Sequence, residues 1–213
     1  MPINETYRTW IQRICELRPK QRKTQVQNFV WLVVGIFHSH SVSLSQIAGK
    51  VMSTAKNVST VRRLSRFLAS PAVDVRSWYR SIAKAWLLSQ FQQVGEIRLI
   101  VDGTKIGFGH QLLMVSLAYR RRAVPIAWSW VRHARGHSSG KQQISLLKYV
   151  GSLFPQNAPV FLVGDSEFGS IAVLRQLEQW HWFFVLRQKG NTGLWINEQV
   201  GWQRMEKFVQ HAG

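Results

Sequence analysis

The chain holds three aspartates, at positions 74, 102 and 165, and two of them stand in matching surroundings. Asp102 ends the apolar run of EIRLIVDGT, and Asp165 ends that of PVFLVGDSEFGS, 63 residues further on. Such near-continuous apolar runs are what strands carry when both faces of a sheet are covered. Two carboxylates brought together repel, and without a cation one of them must take up a proton. A divalent ion removes the conflict. Mg2+ and Mn2+ accept a few carboxylate oxygens and fill the remaining positions with water or phosphate oxygens. Two such ions, ~3.5–4 Å apart, activate a water or hydroxyl and stabilise the leaving oxygen of a phosphodiester. The pair therefore predicts metal-dependent phosphoryl transfer or hydrolysis. Taken singly, each aspartate is equally well explained as a cap, Asp102 before GTK and Asp165 before SEF.

The pair works only if the intervening chain folds the two strand ends to one edge. From Ile3 to about Phe91 the apolar periodicity is helical, with Trp10, Ile11, Ile14 and Leu17 in one stripe and Val58, Val61, Leu64 and Leu68 in another. After Gly95 the pattern changes to strands, which sets a helical region at 1–94 and a second domain at 95–213. The second domain reads as three strands (EIRLIVDGT, LLMVSLAYRR, RAVPIAWSWVR), a helix (SSGKQQISLLKYVGSLF), a strand (PVFLVGD), a helix (GSIAVLRQLEQW) and a strand (HWFFVLRQK). A three-strand meander followed by alternating helix and strand is the ribonuclease H-like order, an α/β fold with a mixed sheet. In it the first and fourth strands lie side by side and parallel, and Asp102 and Asp165 open at the same edge.

Charge points to the partner. Lysine and arginine number 28 against 10 acidic residues, a net charge of +18 and a pI near 11.3. Nucleic acid fits best, because each basic side chain that docks on a phosphate releases condensed counterions. The cations are spread along the chain instead of forming one juxtamembrane cluster, and the longest apolar run, FVWLVVGIF (29–37), is too short to span a bilayer. Cys15 is the single cysteine, excludes an internal disulfide and lies among apolar residues at helical spacing, so it reads as core in a reducing cytoplasm.

Other groupings are less specific. LSQIAGKV and VSTVRRLSRFLAS form two short helices across a polar break, with Arg62, Arg63 and Arg66 on the second, which suggests a helix-turn-helix-like DNA contact or a solvated basic face. GFG (107–109) lacks dinucleotide-binding spacing and reads as a turn. HARGH puts His133 and His137 four apart in a loop without the second half of a zinc site. Phosphate contact from Arg132, Arg135 and Lys141 is the better reading there. Ser166 lacks a base for nucleophilic catalysis, and most of the ten tryptophans sit in core patterns.

At RRLSRFL, LIVDGTKI, LLMVSLAYRRRAVPIAW, VGDSEFGS and WFFVLRQKGN, spanning about residues 47 to 192, the chain resembles the DDE transposases of bacterial insertion sequences, in particular the insertion-sequence-four group. The resemblance implies an N-terminal region that binds double-stranded DNA at transposon terminal inverted repeats. It also implies a ribonuclease H-like core that cuts and rejoins DNA with two magnesium ions. By it, Asp102 and Asp165 are the first and second catalytic acids and metal ligands. Lys105, Arg187 and Lys189 are expected near DNA, the protein is expected to dimerise, and its place is the bacterial cytoplasm, on the nucleoid when bound. The family's third acid stands in Y-x-x-R-x-x-x-E-x-x-x-x-x-x-K beyond a β-rich insertion, and that run is absent; Glu198 and Glu206 lack its neighbours. The expectation is a core incomplete at its C-terminal end. The alternative is a catalytically inactive DNA-binding protein or inhibitor derived from a transposase; a general ribonuclease H-like nuclease fits the helical region and charge less well.

Overall fold

A computed structural model describes residues 3–132 and 138–208; His133, Arg135 and His137 lie outside them. The chain divides into two compact units, Met1–Ile82 and Ala83–Gly213. The first holds α1 (Ile3–Leu17), α2 (Lys23–Ser39), α3 (Leu44–Ala48), α4 (Asn57–Leu68) and the start of α5 (Val75–Val94). The division falls inside α5, ahead of the composition change at Gly95. A contact within the second unit accounts for this: Trp86 on α5 meets Tyr119 edge to face at 5.3 Å. No helix among the described residues is long and apolar enough to cross a membrane.

The core of the first unit is built from Tyr7, Ile14, Val26, Val30, Trp31, Val34, Ile47, Leu64, Phe67 and Trp78, with Cys15 packed against it. Trp78 is its aromatic anchor, in ring contact with Phe29 at 5.1 Å and edge to face with Phe67 at 5.9 Å. Both helical stripes are rotated from the sequence expectation. On α1 the deeply buried positions are Tyr7 and Ile14, while Trp10 and Leu17 are exposed. On α4 they are Thr60, Leu64 and Phe67, while Val58 and Leu68 are 62% and 57% exposed. Presenting Phe67 to Trp78 turns the helix far enough to expel both aliphatic ends of the expected stripe. Residues 49–56 separate α3 from α4, longer than the roughly three- or four-residue turn of a helix-turn-helix.

The second unit centres on a five-stranded sheet, β1 (Ile97–Lys105), β2 (His110–Tyr119), β3 (Arg122–Arg132), β4 (Val160–Gly164) and β5 (Phe183–Leu186), in the order β3-β2-β1-β4-β5. The first three are antiparallel neighbours, and β4 and β5 run parallel to β1. This is the ribonuclease H-like arrangement. Two helices, α6 (Gly140–Gly151) and α7 (Ile171–Gln179), supply the crossovers and bury Leu146, Leu147, Val150, Val173 and Leu177. α6 packs on β2 and β3, and α7 on β5. The sheet residues buried with them include Leu99, Val101, Leu113, Val115, Leu117 and Leu162. A Ser139–Gln142 capping box starts α6. Pro125 is tolerated inside β3 because that strand is at the sheet edge and its pairing shifts at Val115/Ser116, a bulge that leaves Ile126 without a partner on β2. A small hairpin, β6 (Gly193–Trp195) with β7 (Trp202–Arg204), was not signalled by the sequence.

Two measurements check the helical core. Leu64→Ala removes a fully buried side chain and is expected to cost about 2–5 kcal/mol in denaturant unfolding, while Val58→Ala costs under about 0.5 kcal/mol. The Tyr7 hydroxyl is buried without a hydrogen-bond partner among the described residues, and burial pushes its pKa up to about 12. The unfolded chain ionises near pH 10, so this contribution to stability is complete below pH 10 and falls as pH rises toward 12. Tyr7→Phe should flatten that fall in melting curves taken across the interval.

Candidate catalytic edge

β1 and β4 pair in parallel register from Ile97↔Val160 to Val101↔Gly164. The next residue on each strand is an aspartate. Neighbouring strands lie about 4.8 Å apart, so this register sets Asp102 beside Asp165 where β4 ends; the sequence placed both aspartates at strand ends, but β1 runs on past Asp102 to Lys105, paired with β2 alone. Side chains alternate along β1: Ile97, Leu99 and Val101 are buried, and Arg98 and Asp102 are exposed. Extended backbone at Asp165 (φ −84°, ψ −173°) carries the alternation of β4 one residue further, to the side of Phe161 and Val163. Both carboxylates thus belong to the less covered face of the sheet.

Their local roles differ. Asp165 does cap the short 3-10 turn Ser166–Phe168, its Oδ1 accepting from the Glu167 N–H at 2.9 Å. That bond uses one oxygen and fixes the direction of the carboxylate. Asp102, paired through its backbone with Met114, has no hydrogen-bond or ion-pair partner among the described residues. An exposed, unpaired carboxylate beside a second one, in a chain with so few acids, is a poor structural device and a good hard-cation ligand. The donor set is oxygen alone, which suits Mg2+ or Mn2+. Among the described residues no three His, Cys, Asp or Glu side chains gather into a fuller cage, so this rim offers two carboxylates and leaves the other positions to water or phosphate.

Behind the rim lies a network that the sequence did not disclose. Glu167 accepts from Gln111 Nε2 through both oxygens, at 2.8 and 3.0 Å, and from the N–H and Oγ–H of Ser138 at 2.9 and 2.5 Å. Gln143 donates to Ser138 Oγ at 2.9 Å and to the Glu167 carbonyl at 3.3 Å. One carboxylate therefore ties the start of β2, the approach to α6 and the turn after β4 together. Gly103 makes room for it: a Cβ there would collide with Gln111 Nε2 and stand 2.9 Å from Glu167 Oε2. Because Gly103 follows Asp102 and points to the opposite face, Glu167 buttresses the rim from behind. An acid two residues from Asp165 was the available signal, and only the fold gives it this job. Gly164 is constrained similarly, since a Cβ would meet Val101 Cγ1 at 2.7 Å and Leu186 Cδ2 at 3.0 Å.

Several expected cations gather at this end. Lys105 ends β1 and Arg132 ends β3 opposite His110 at the start of β2, both exposed. The Arg187 N–H donates to the Gly164 carbonyl at 3.0 Å, placing this exposed residue on the rung beside Asp165. Lys189 follows it, and Lys141 is exposed in the first turn of α6. Arg135 is outside the described residues. Arg62, Arg63 and Arg66 belong to the helical unit, where they line an open hollow of 550 Å³ with Gln25, Asn28, Ser59 and Ser70. Arg63 is held there by Asn28 Oδ1 at 2.7 Å and Gln27 Oε1 at 3.0 Å, over the Trp31 ring at 4.3 Å. Its guanidinium locks α4 onto α2, and Arg62 and Arg66 are the exposed pair.

No protein-family model matches the chain, and no curated protein matches it. Among solved structures it is similar to the catalytic domain of Mos1 mariner transposase, at 14% identity and TM-score 0.32 over 53% of this chain and 61% of that one. The same catalytic domain solved with Raltegravir and Mn is similar at 14% identity and TM-score 0.32, over 50% of this chain and 57% of that one. A piggyBac transposase synaptic complex with hairpin DNA is similar at 13% identity and TM-score 0.37, over 86% of this chain and 47% of that one. The chain thus spans less than two thirds of the length of these structures.

Two substitutions test the rim geometry. Gly164→Ala should cost about 1–3 kcal/mol in denaturant unfolding through the clash with Val101 and Leu186. Glu167→Ala, which leaves Gln111 and the Ser138 N–H without their acceptor, should cost a similar amount.

Proposed function

We propose that this chain is a DNA transposase of the DDE type, with Asp102 and Asp165 as two of its catalytic acids. The reading rests above all on the β1–β4 register, in which an aspartate follows the last paired residue of each strand, in a chain of net charge +18. The quoted sequence resemblance to transposases of the insertion-sequence-four group supports it. The DNA in the piggyBac complex and the Mn in the Mos1 structure belong to those proteins; for this chain, duplex DNA with terminal inverted repeats and Mg2+ or Mn2+ are part of the proposal, as are dimerisation and a bacterial cytoplasmic location.

Asp102 and Asp165 would hold the cation, Asp165 through the oxygen that its turn leaves free. Bound there, a divalent ion supplies Lewis-acid activation of a water or 3′-hydroxyl and charge stabilisation for the leaving oxygen. The remaining work falls to the chain's own cations. Arg187, beside Asp165, can grip a non-bridging phosphate oxygen in the forked geometry that guanidinium shares with phosphate. Lys105, Arg132, Arg135, Lys141 and Lys189 neutralise flanking phosphates. Arg62 and Arg66, with Arg63 fixing their helix, serve as the contact of the helical unit with transposon-end DNA. The Glu167 clamp holds the rim rigid so that the two carboxylates need not reorganise as charge develops.

Two assays bear on this. In calorimetry, Mn2+ binding by the protein alone should weaken at least about tenfold in Asp102→Asn and in Asp165→Asn, with melting temperatures in chelator little changed. On a duplex carrying terminal inverted repeats, the parent should nick DNA only with Mg2+ or Mn2+, and either variant should lose about 10³-fold of that rate while still binding DNA. Salt-sensitive binding by the parent without any cleavage selects the inactive DNA-binding protein instead.

A further inference from the structure

The opposite end of the same sheet carries a cation cluster that the aspartate chemistry does not use. β2 turns into β3 through Arg120 and Arg121, both with left-handed backbone (φ 43° and 64°), and Arg122 opens β3. A two-residue turn with positive φ at both positions ordinarily takes Asn-Gly, because a Cβ resists that conformation. Here it takes two arginines. All three arginines are exposed, and the side chains of Arg121 and Arg122 have no hydrogen-bond, ion-pair or ring partner among the described residues. The Arg120 guanidinium lies 5.3 Å from the ring of Tyr119, itself braced by Trp86.

These arginines line an open depression of 670 Å³ together with Arg98, Ile100 and Ala118. Arg98 is paired with Glu96 at 2.5 Å, so one acid offsets one of the four cations. Arg98 and Ile100 alternate with buried Leu99 and Val101, which puts the depression on the face of the sheet that carries Asp102. Along β2, Met114 is the partner of Asp102, and Arg120 lies six residues beyond it. At ~3.3 Å per residue this is about 20 Å, or roughly six base-pair steps of duplex DNA.

A cluster of charges is often no more than a solvated surface. This one differs in that backbone strain is placed at a turn where arginine is disfavoured, and strain of that kind gathers at functional sites. It also converges on one concavity and shares a face with the acids. We propose that Arg120, Arg121 and Arg122, with Arg98, form a second contact for the phosphate backbone of duplex DNA. It engages the duplex roughly six base pairs from the phosphate held between Asp102 and Asp165. This rests on the nucleic-acid function above and adds a surface that reads no sequence.

The test is the double variant Arg120→Asn/Arg121→Gly, which gives the turn its preferred residues and so should melt no lower than the parent. Duplex binding is measured as a function of salt. The slope of log affinity against log salt should become shallower by about 1.8, two phosphate contacts' worth, and affinity should fall equally for terminal-repeat and scrambled duplexes. A parent that binds duplex DNA and a variant with the same slope overturn this contact and leave the function standing. A parent that binds no duplex overturns the function, and the contact with it. A variant that loses binding to phosphatidylserine vesicles with its DNA slope unchanged assigns the arginines to a lipid surface and also overturns the proposal.

Discussion

Everything at the candidate site depends on one pairing, the parallel register of β1 with β4. That register ends at Val101↔Gly164, and the residue after each is an acid. Parallel strands in a sheet present equivalent residues side by side, so a single ladder sets the lateral spacing of two like charges with no help from loops. Slipping β4 by one residue would move Asp165 to the other face and swap the buried and exposed sets of β4. Val160 and Leu162 beside Ile97 and Leu99, all buried, fix the register against that slip. The hydrophobic core of the second unit is therefore also what places the carboxylates.

The rim is kept in place by crowding as much as by bonding. Gly103 and Gly164 flank the two acids, and each is a position where a Cβ would collide with a neighbour. Close packing of this sort removes slack from strand ends, which otherwise fray. The Glu167 carboxylate then joins the start of β2 to the approach to α6 through Gln111 and Ser138. Three acids thus divide their work: Asp102 faces outward without a partner, Asp165 turns one oxygen inward to cap its own turn, and Glu167 is committed to structure.

What the sequence disclosed was what local periodicity encodes. The two apolar runs before Asp102 and Asp165 announced strands, and the order of strands and helices announced the sheet topology; the expectation that both faces are covered fails, because β1 and β4 bury alternate residues and leave Phe161 and Val163 exposed. The long hairpin was legible too, though its turn takes Arg120 and Arg121 from the end of the expected second strand. The α4 face was misjudged because Phe67 on Trp78 outweighs two aliphatic positions, a tertiary preference invisible in a local pattern. Arg63 looked like its neighbours Arg62 and Arg66 in sequence, and only the fold brings Asn28, Gln27 and Trp31 to it from α2. Glu167 was passed over for the same reason, since its partners lie 56 and 29 residues away in the chain.

The two faces of the sheet are unequal, and the inequality bears on the chemistry. One face buries Leu99, Val101, Leu113, Val115 and Leu162 with the side chains of α6 and α7. The other carries Asp102 and Asp165 at one end and Arg98 toward the other, and between them Phe161, Val163, Phe183 and Val185 are 36%, 50%, 59% and 73% exposed. Phe161 and Phe183 stack at 4.8 Å, so the exposed strip is continuous across β4 and β5. A contiguous apolar strip of this kind marks a surface that gains by being covered. Any cover that reaches the end of β4 and the neighbouring part of β1 excludes water from the aspartates as well, and in a less polar surrounding the attraction of a carboxylate for a divalent cation grows in proportion. Burial of apolar surface and strength of ion binding are coupled here because the same strands that expose Val163 and Val185 end at the acid and at Arg187. Closing the open face would thus strengthen the hold of this edge on a cation bound there, as proposed, whereas the α6 and α7 face, already packed, can only hold the ladder in register.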